Sequence, residues 1–138
     1  MKTMTKIIIT LFISVLFLHG VAAILTYVTV SSGKYVEGNP TTATLQISYG
    51  LAGGLTLTLL EGTLLSIIPL MTYLGTLKYA QSSILQPFEK VGMMRVVKYF
   101  FFPLAISVLV YLSLIAGADV VHDLVMLLSD GQTNLWSF

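Results

Sequence analysis

Residues 51–77 read LAGGLTLTLLEGTLLSIIPLMTYLGTL, an apolar run that contains a single charged residue, Glu61. A helix needs about 20 mainly apolar residues to cross the hydrocarbon core of a bilayer, and this run exceeds that length. It therefore predicts a membrane-spanning helix that carries one acid in its interior.

Two more stretches have the same apolar character. With their ends included, the three predicted spans cover residues 5–31, 51–78 and 96–118. The composition agrees, because the 138 residues are 56% hydrophobic and only 9% charged, whereas a soluble domain is about one-quarter charged. We predict an all-α integral membrane protein that forms a single membrane domain of three transmembrane helices.

The N-terminal stretch also resembles a signal peptide. Lys2 and Lys6 precede an apolar run that reaches the small residues Gly20-Val21-Ala22-Ala23. The run continues beyond that point to Val30, which is longer than the apolar core of a signal peptide. We therefore predict an uncleaved first span, while cleavage would leave two spans.

The basic residues predict the orientation of the chain. Six of them lie at the start of the first span or around the predicted loop 79–95: Lys2, Lys6, Lys78, Lys90, Arg95 and Lys98. Short loops rich in Lys and Arg stay on the cytoplasmic side of a membrane. We expect a multi-pass protein of a prokaryotic plasma membrane, with a cytoplasmic N-terminus and loop 79–95, and with the loop 31–50 and the C-terminal helix or tail 119–138 outside.

Charge also restricts the partners. The net charge is only +1, and the chain lacks the extended basic patch that nucleic-acid binding needs. We predict membrane lipids and other integral membrane subunits as partners, and no nucleic acid. The chain contains no cysteine, which excludes disulfides, thiolate metal ligands and cysteine nucleophiles.

Between the first two spans, the sequence predicts a short interfacial helix. Asn39 is a suitable N-cap and Pro40 suits the first helical position. The helix would cover residues 41–49 at the outer interface, too few to span a bilayer, and would end near Gly50. Within the spans, Pro69 and Pro103 each remove a backbone donor and predict kinks.

This region resembles a known family. Thr26-Tyr27 at the end of the first span, a glycine-containing turn and Glu37-Gly38-Asn39-Pro40 are similar to an uncharacterised family of small prokaryotic, largely archaeal, three-span membrane proteins with an E-x-N-P motif. The resemblance implies a shared structural motif of Glu37, Asn39 and Pro40, and no activity. Family members often carry an acid where this chain has Ala22-Ala23-Ile24, and a basic residue near the position of Glu61.

Glu61 and His19 are the first candidate site. Glu61 lies about 15 Å from the expected outer end of its span, at about 1.5 Å per residue, and His19 lies at a similar depth. The two side chains could form a buried polar pair, with hydroxyl groups of span two as further partners: Thr56, Thr58, Thr63 and Ser66. Such a pair would exchange protons or bind a ligand, or would simply join helices. We favour helix packing, since a single acid without a polar path is a poor conduit.

A second candidate cluster lies at the outer end of the third span. Asp119, His122 and Asp123 follow the i, i+3, i+4 spacing that places side chains on one helical face, and Glu37 from the outer loop could join them. These groups suit zinc or manganese-like ions. Polar residues are ordinary at a membrane boundary, however, and we predict a polar cluster with no bound metal.

No complete catalytic or cofactor motif is present. An Asp–His pair can act as a general base, but no serine or threonine is identifiably placed as its nucleophile. His19 and His122 fall at different depths, which argues against a haem with two histidine ligands. We therefore predict neither a catalytic residue nor a cofactor.

Two classes of function remain. We favour a non-catalytic accessory subunit of a larger membrane complex, such as a respiratory or other energy-converting complex. The alternative is a homo-oligomeric carrier or channel in which copies of Glu61 line a shared pathway. An integral membrane enzyme ranks third, because nucleophile and metal motifs are missing.

Overall fold

The computed structural model of the protein describes residues 1–32 and 40–129. Its α-helices are α1 (Lys2–Ser31), α2 (Pro40–Ala80), α3 (Pro87–Val96) and α4 (Phe102–Leu128), and a π-helical turn (Val97–Phe101) joins α3 to α4. Three helical stretches are long and apolar enough to cross a membrane: Lys2–Ser31, Pro40–Ala80 and Pro87–Leu128. The predicted all-α fold with three spanning helices is confirmed.

Helices α1 and α2 are antiparallel. Near the start of α1, the Thr5 hydroxyl lies 3.3 Å from the Tyr73 hydroxyl, late in α2. Further along α1, the His19 ring lies against Gly62, which comes earlier in α2. The sequence order along the two helices is thus reversed, as expected for consecutive membrane spans.

Helices α1 and α4 are parallel. Ile8, near the start of α1, and Ala105, near the start of α4, belong to the same buried cluster. Close to the other ends of these helices, Thr26 hydrogen-bonds to Asp123. Since α2 also packs against both, the three long helices form one bundle.

The main core lies at the end of the bundle where α1 begins. Its buried members come from α1, α2, the π-helical turn and α4: Ile8, Val15, Tyr73, Leu77, Ala80, Val97, Ala105 and Leu109. Tyr73 is fully buried and its ring centroid lies 6.1 Å from that of Phe102. Many large apolar side chains elsewhere point outward, which suits a bundle surrounded by lipid.

The predicted loop 79–95 is largely helical. Helix α3 begins at Pro87, and the backbone N–H of Gln86 donates to Oε2 of Glu89 at 2.8 Å in a capping box. Proline is favourable in the first turn of a helix, where its missing N–H would have no helical partner. Pro87 therefore starts a helix here and does not mark a loop, and the loop prediction is corrected to residues 81–86.

The third spanning helix is also longer than predicted. It includes α3 at its start, and α4 continues to Leu128, through much of the segment predicted as an outer helix or tail. At Pro103 the expected distortion takes the form of the π-helical turn, in which the Phe102 N–H donates to the Val97 carbonyl. Such a turn relieves the crowding that a proline ring causes in the preceding turn.

The predicted short helix after Pro40 is present as the first part of α2. Gly50 has φ 73° and ψ 166°, a conformation essentially restricted to glycine. It divides α2 into a short arm, residues 40–49, and a long arm, residues 51–80.

The short arm folds back along the long arm. A Cβ atom on Gly54 would lie 2.5 Å from the backbone nitrogen of Gln46, so only glycine allows this approach. Further from the bend, the Thr58 hydroxyl lies 3.5 Å from the Thr42 hydroxyl. Because both pairs are equally spaced about Gly50, the arms run side by side in opposite directions.

Candidate functional site

Glu61 points away from the bundle. Its neighbour Gly62 is buried and faces α1, whereas Glu61 is exposed. Successive residues of a helix are rotated by about 100°, so both side chains cannot face α1. Glu61 has neither a hydrogen bond nor an ion pair with any residue that the structure describes.

His19 is engaged by its own helix. Its Nδ1 lies 2.9 Å from the carbonyl oxygen of Val15, and since a carbonyl can only accept, Nδ1 must be the protonated donor. The other side of the ring lies on Gly62, where an added Cβ would be 2.6 Å from Nε2. The predicted buried pair of Glu61 and His19 does not form, because Gly62 occupies the position facing His19.

The hydroxyl groups near Glu61 are also occupied. Each donates to the carbonyl four residues earlier in α2, at distances between 2.6 and 3.1 Å: Thr56, Thr58, Thr63 and Ser66. A hydroxyl has one proton to donate, so none of these groups donates a hydrogen bond to Glu61. These side chains bond to backbone carbonyls of their own helix, and they form no chain of hydrogen bonds leading from Glu61.

Asp123 forms a polar site that joins α4 to α1. It is buried in α4 with a relative exposure of 9%. The Thr26 hydroxyl of α1 donates to its Oδ2 at 2.6 Å, and Nδ1 of His122 lies 3.3 Å from its Oδ1. Both carboxylate oxygens are therefore partnered, and the hydrogen bond from Thr26 ties α1 to α4.

Thr26 was not among the sequence-predicted site residues. The sequence names it only within the Thr26-Tyr27 part of the family resemblance, at the end of the first span and at the depth that parallel packing gives to Asp123. A threonine there is equally able to bond its own helix, as Thr29 does to the carbonyl of Leu25. The partnership with Asp123 depends on which face of α1 meets α4, and that is a tertiary property.

The structure describes only part of the rest of the predicted outer cluster. Asp119 is half-buried, one turn before Asp123 on α4. Glu37 and Asn39 lie outside the described residues, and Pro40 starts α2. Among the residues that the structure describes, no three His, Asp or Glu side chains are placed to hold a metal ion.

No protein-family model, no curated protein and no solved structure matches this chain. The resemblance carried by Glu37-Gly38-Asn39-Pro40 stays a prediction.

Proposed function

We propose that this chain is a non-catalytic accessory subunit of a larger integral membrane complex, such as a respiratory or other energy-converting complex. The observation that supports this proposal is the outward position of Glu61. In the complex, a helix of a partner subunit covers the Glu61 face, which we define as the exposed residues Leu60, Glu61, Leu64, Leu65 and Ile68 of α2.

The energetic reason is the depth of the acid. Glu61 lies about 15 Å along the long arm from its first residue, Leu51, close to the middle of a hydrocarbon core about 30 Å thick. A charged side chain at the centre of a spanning helix costs about 2.5 to 3.5 kcal/mol on insertion scales. A partner helix that donates a hydrogen bond to Glu61 would remove much of this cost.

The surroundings of Glu61 suit a helix–helix contact. Leu64 and Leu65 are about half exposed, at 54% and 46%, and flank the acid one turn further along the helix. In membranes, helix association depends on close packing and on polar groups that bond across the contact. The Glu61 face offers an apolar surface for close packing and one acid that can bond across the contact. The acid also favours a partner helix that carries a hydrogen-bond donor.

The alternative is a homo-oligomeric carrier or channel in which copies of Glu61 line a shared pathway. A two-fold contact would place the same surface of each copy together and bring Glu61 against Glu61. Two carboxylates in contact cannot both be charged without repulsion. A foreign helix avoids this conflict, and the occupied hydroxyls of α2 supply no further polar groups for a pathway.

The proposal is tested by cross-linking in native membranes. The chain has no cysteine, so Leu64→Cys provides a single thiol on the Glu61 face. A photoreactive maleimide is attached to this thiol. Leu114→Cys is the matched control, because Leu114 is exposed at 68% on α4. We expect Leu64→Cys to capture one foreign membrane protein that also copurifies stoichiometrically in mild detergent. Adducts of the chain with itself alone would contradict the accessory role and favour the homo-oligomer.

Substitutions of Glu61 separate structure from proton chemistry. Glu61→Gln keeps the shape and hydrogen-bonding capacity of the side chain, so the partner should be retained. Glu61→Leu removes both, and we expect weaker copurification. A Glu61→Gln variant that assembles normally but loses a proton-coupled activity would show that the acid is functional and not structural.

A further inference from the structure

A groove of about 400 Å³ lies between Met1, α3 and the π-helical turn. Met1 directly precedes α1, and the remaining lining combines three cationic with three apolar or aromatic side chains: Lys90, Arg95, Lys98, Val91, Met94 and Tyr99. The groove lies at the end of the bundle that the sequence predicts to be cytoplasmic.

Helical spacing produces this mixture. Lys90, Met94 and Lys98 are four residues apart and form one row, while Val91 and Arg95 belong to the neighbouring row. Each cation thus has an apolar neighbour on the same face. Lys90 and Lys98 are about 12 Å apart along the helix axis, at about 1.5 Å per residue.

The groove is electrostatically suited to an anion. None of its lining residues is acidic. Glu89, the acid of α3, accepts a hydrogen bond from the backbone of Gln86. Arginine binds phosphate oxygens through paired N–H groups, and lysine contributes a mobile point charge. A phosphate group is therefore an anion that Arg95 and Lys98 suit.

The apolar lining indicates that the phosphate belongs to a lipid. The Lys98 ammonium lies 5.0 Å from the centre of the Tyr99 ring, and Tyr99 and Phe100 are exposed just before the apolar α4 begins. Aromatic residues in this position mark the level of lipid headgroups. A phospholipid bound here would place its phosphate beside the cations and its acyl chains along α4.

We propose that this groove is a binding site for the headgroup of an anionic phospholipid. The site is independent of the Glu61 face, which lies on the long arm of α2. Basic residues on a cytoplasmic face attract anionic lipids in general, so the specific content of the proposal is that the groove residues bind far more strongly than other basic residues at the same end. Lys78 is the matched control, because it is exposed near the end of α2 and does not line the groove.

The test is native mass spectrometry of the full chain released from bilayers of equal phosphatidylcholine and phosphatidylglycerol. We expect the wild type to retain phosphatidylglycerol. General attraction to an anionic surface changes affinity by about fivefold per cation, so Lys78→Gln should weaken retention by no more than about fivefold. Arg95→Gln with Lys98→Gln should weaken it by clearly more than the roughly 25-fold that this general effect gives for two cations. Arg95 and Lys98 are exposed, and equal thermal unfolding of the variants would verify that they are folded.

Three outcomes would overturn the proposal. Equal retention of phosphatidylcholine would show that the groove does not select anionic headgroups. A loss of phosphatidylglycerol in Lys78→Gln as large as that in the double variant would show that retention depends on general surface charge. Displacement of the lipid by glycerol phosphate at equimolar concentration would show a site for free phosphate esters, since acyl chains would then add no affinity.

Discussion

Glu61 and Gly62 are adjacent residues that face opposite surroundings. Gly62 is buried against the ring of His19, and Glu61 is exposed on the outside of α2. The polar residue that stands out in the sequence is therefore directed away from the chain's own helices. The glycine beside it determines how closely α1 and α2 approach.

Gly62→Ala should destabilise the bundle. The added Cβ would lie 2.5 Å from Cδ2 of His19, and overpacking of this kind costs about 1 to 3 kcal/mol. Gly75→Ala is the control, since nothing lies within 4 Å of a Cβ at that position. Thermal unfolding in detergent micelles measures the difference.

A second substitution identifies the cause. His19→Ala removes the ring that the new methyl group would meet, so the Gly62→Ala cost should shrink in the double variant. If Gly62→Ala proves as stable as Gly75→Ala, the close contact between His19 and α2 is wrong.

The hydrogen bond between Thr26 and Asp123 makes a separate prediction. Thr26→Val removes the donor from a buried carboxylate, which should lower the free energy of unfolding by about 1 to 3 kcal/mol. When both partners are replaced, as in Thr26→Val with Asp123→Leu, neither member of this hydrogen bond is left unsatisfied, and the loss should be less than the sum of the single losses. A double-mutant cycle measured by chemical unfolding checks this coupling, and purely additive costs would argue against the bond.

At the scale of helices, glycine and proline determine where the elements bend and begin. Gly50 reverses the chain between the two arms of α2, and Gly54 allows the arms to pack backbone to backbone. Pro87 starts α3, while Pro103 follows a π-helical turn. The same residue type therefore has different effects, depending on whether a helix precedes it.

Gly50→Ala should open the hairpin of α2. An alanine at φ 73° and ψ 166° is strained by about 1 to 3 kcal/mol. Cysteines at Thr42 and Thr58, whose hydroxyls are 3.5 Å apart, should form a disulfide efficiently in this otherwise cysteine-free chain. Adding Gly50→Ala should reduce that yield.

Gly20→Ala is the control for the hairpin, because a Cβ at Gly20 meets nothing within 4 Å. It should leave the disulfide yield unchanged. Equal yields in the Gly50→Ala and Gly20→Ala variants would mean that Gly50 does not hold the bend.

At the scale of the whole molecule, charge and core lie at the same end. The buried cluster around Ile8 and Tyr73 lies where α1 begins, and the cationic groove opens at this end too. The opposite end is joined by the polar contact between Thr26 and Asp123. This asymmetry provides a test of orientation in the membrane.

Single cysteines at Ser31 and Ser83 should report that orientation. Ser31 ends α1 and Ser83 lies between α2 and α3, and both are exposed. If basic segments stay in the cytoplasm, a membrane-impermeant maleimide added to intact cells should label Ser31→Cys. It should label Ser83→Cys only after permeabilisation. The reverse pattern would place the N-terminus outside.

The sequence by itself determined the class of fold, because apolar runs longer than about 20 residues can only be spanning helices when they meet lipid. It also predicted the short helix after Pro40 and its end near Gly50, since local backbone preferences act within a few residues. Its loop at 79–95 was wrong, because Pro87 lies at the first helical position within a capping box and so starts a helix.

Only the tertiary structure decided which polar residues meet. A rotation of about 100° per residue separates Gly62 from Glu61, and no local pattern specifies which of them faces α1. The pairing of Thr26 with Asp123 likewise requires the register between α1 and α4. The packing of whole helices sets both arrangements, because side-chain fit along their full contact determines rotation and register together.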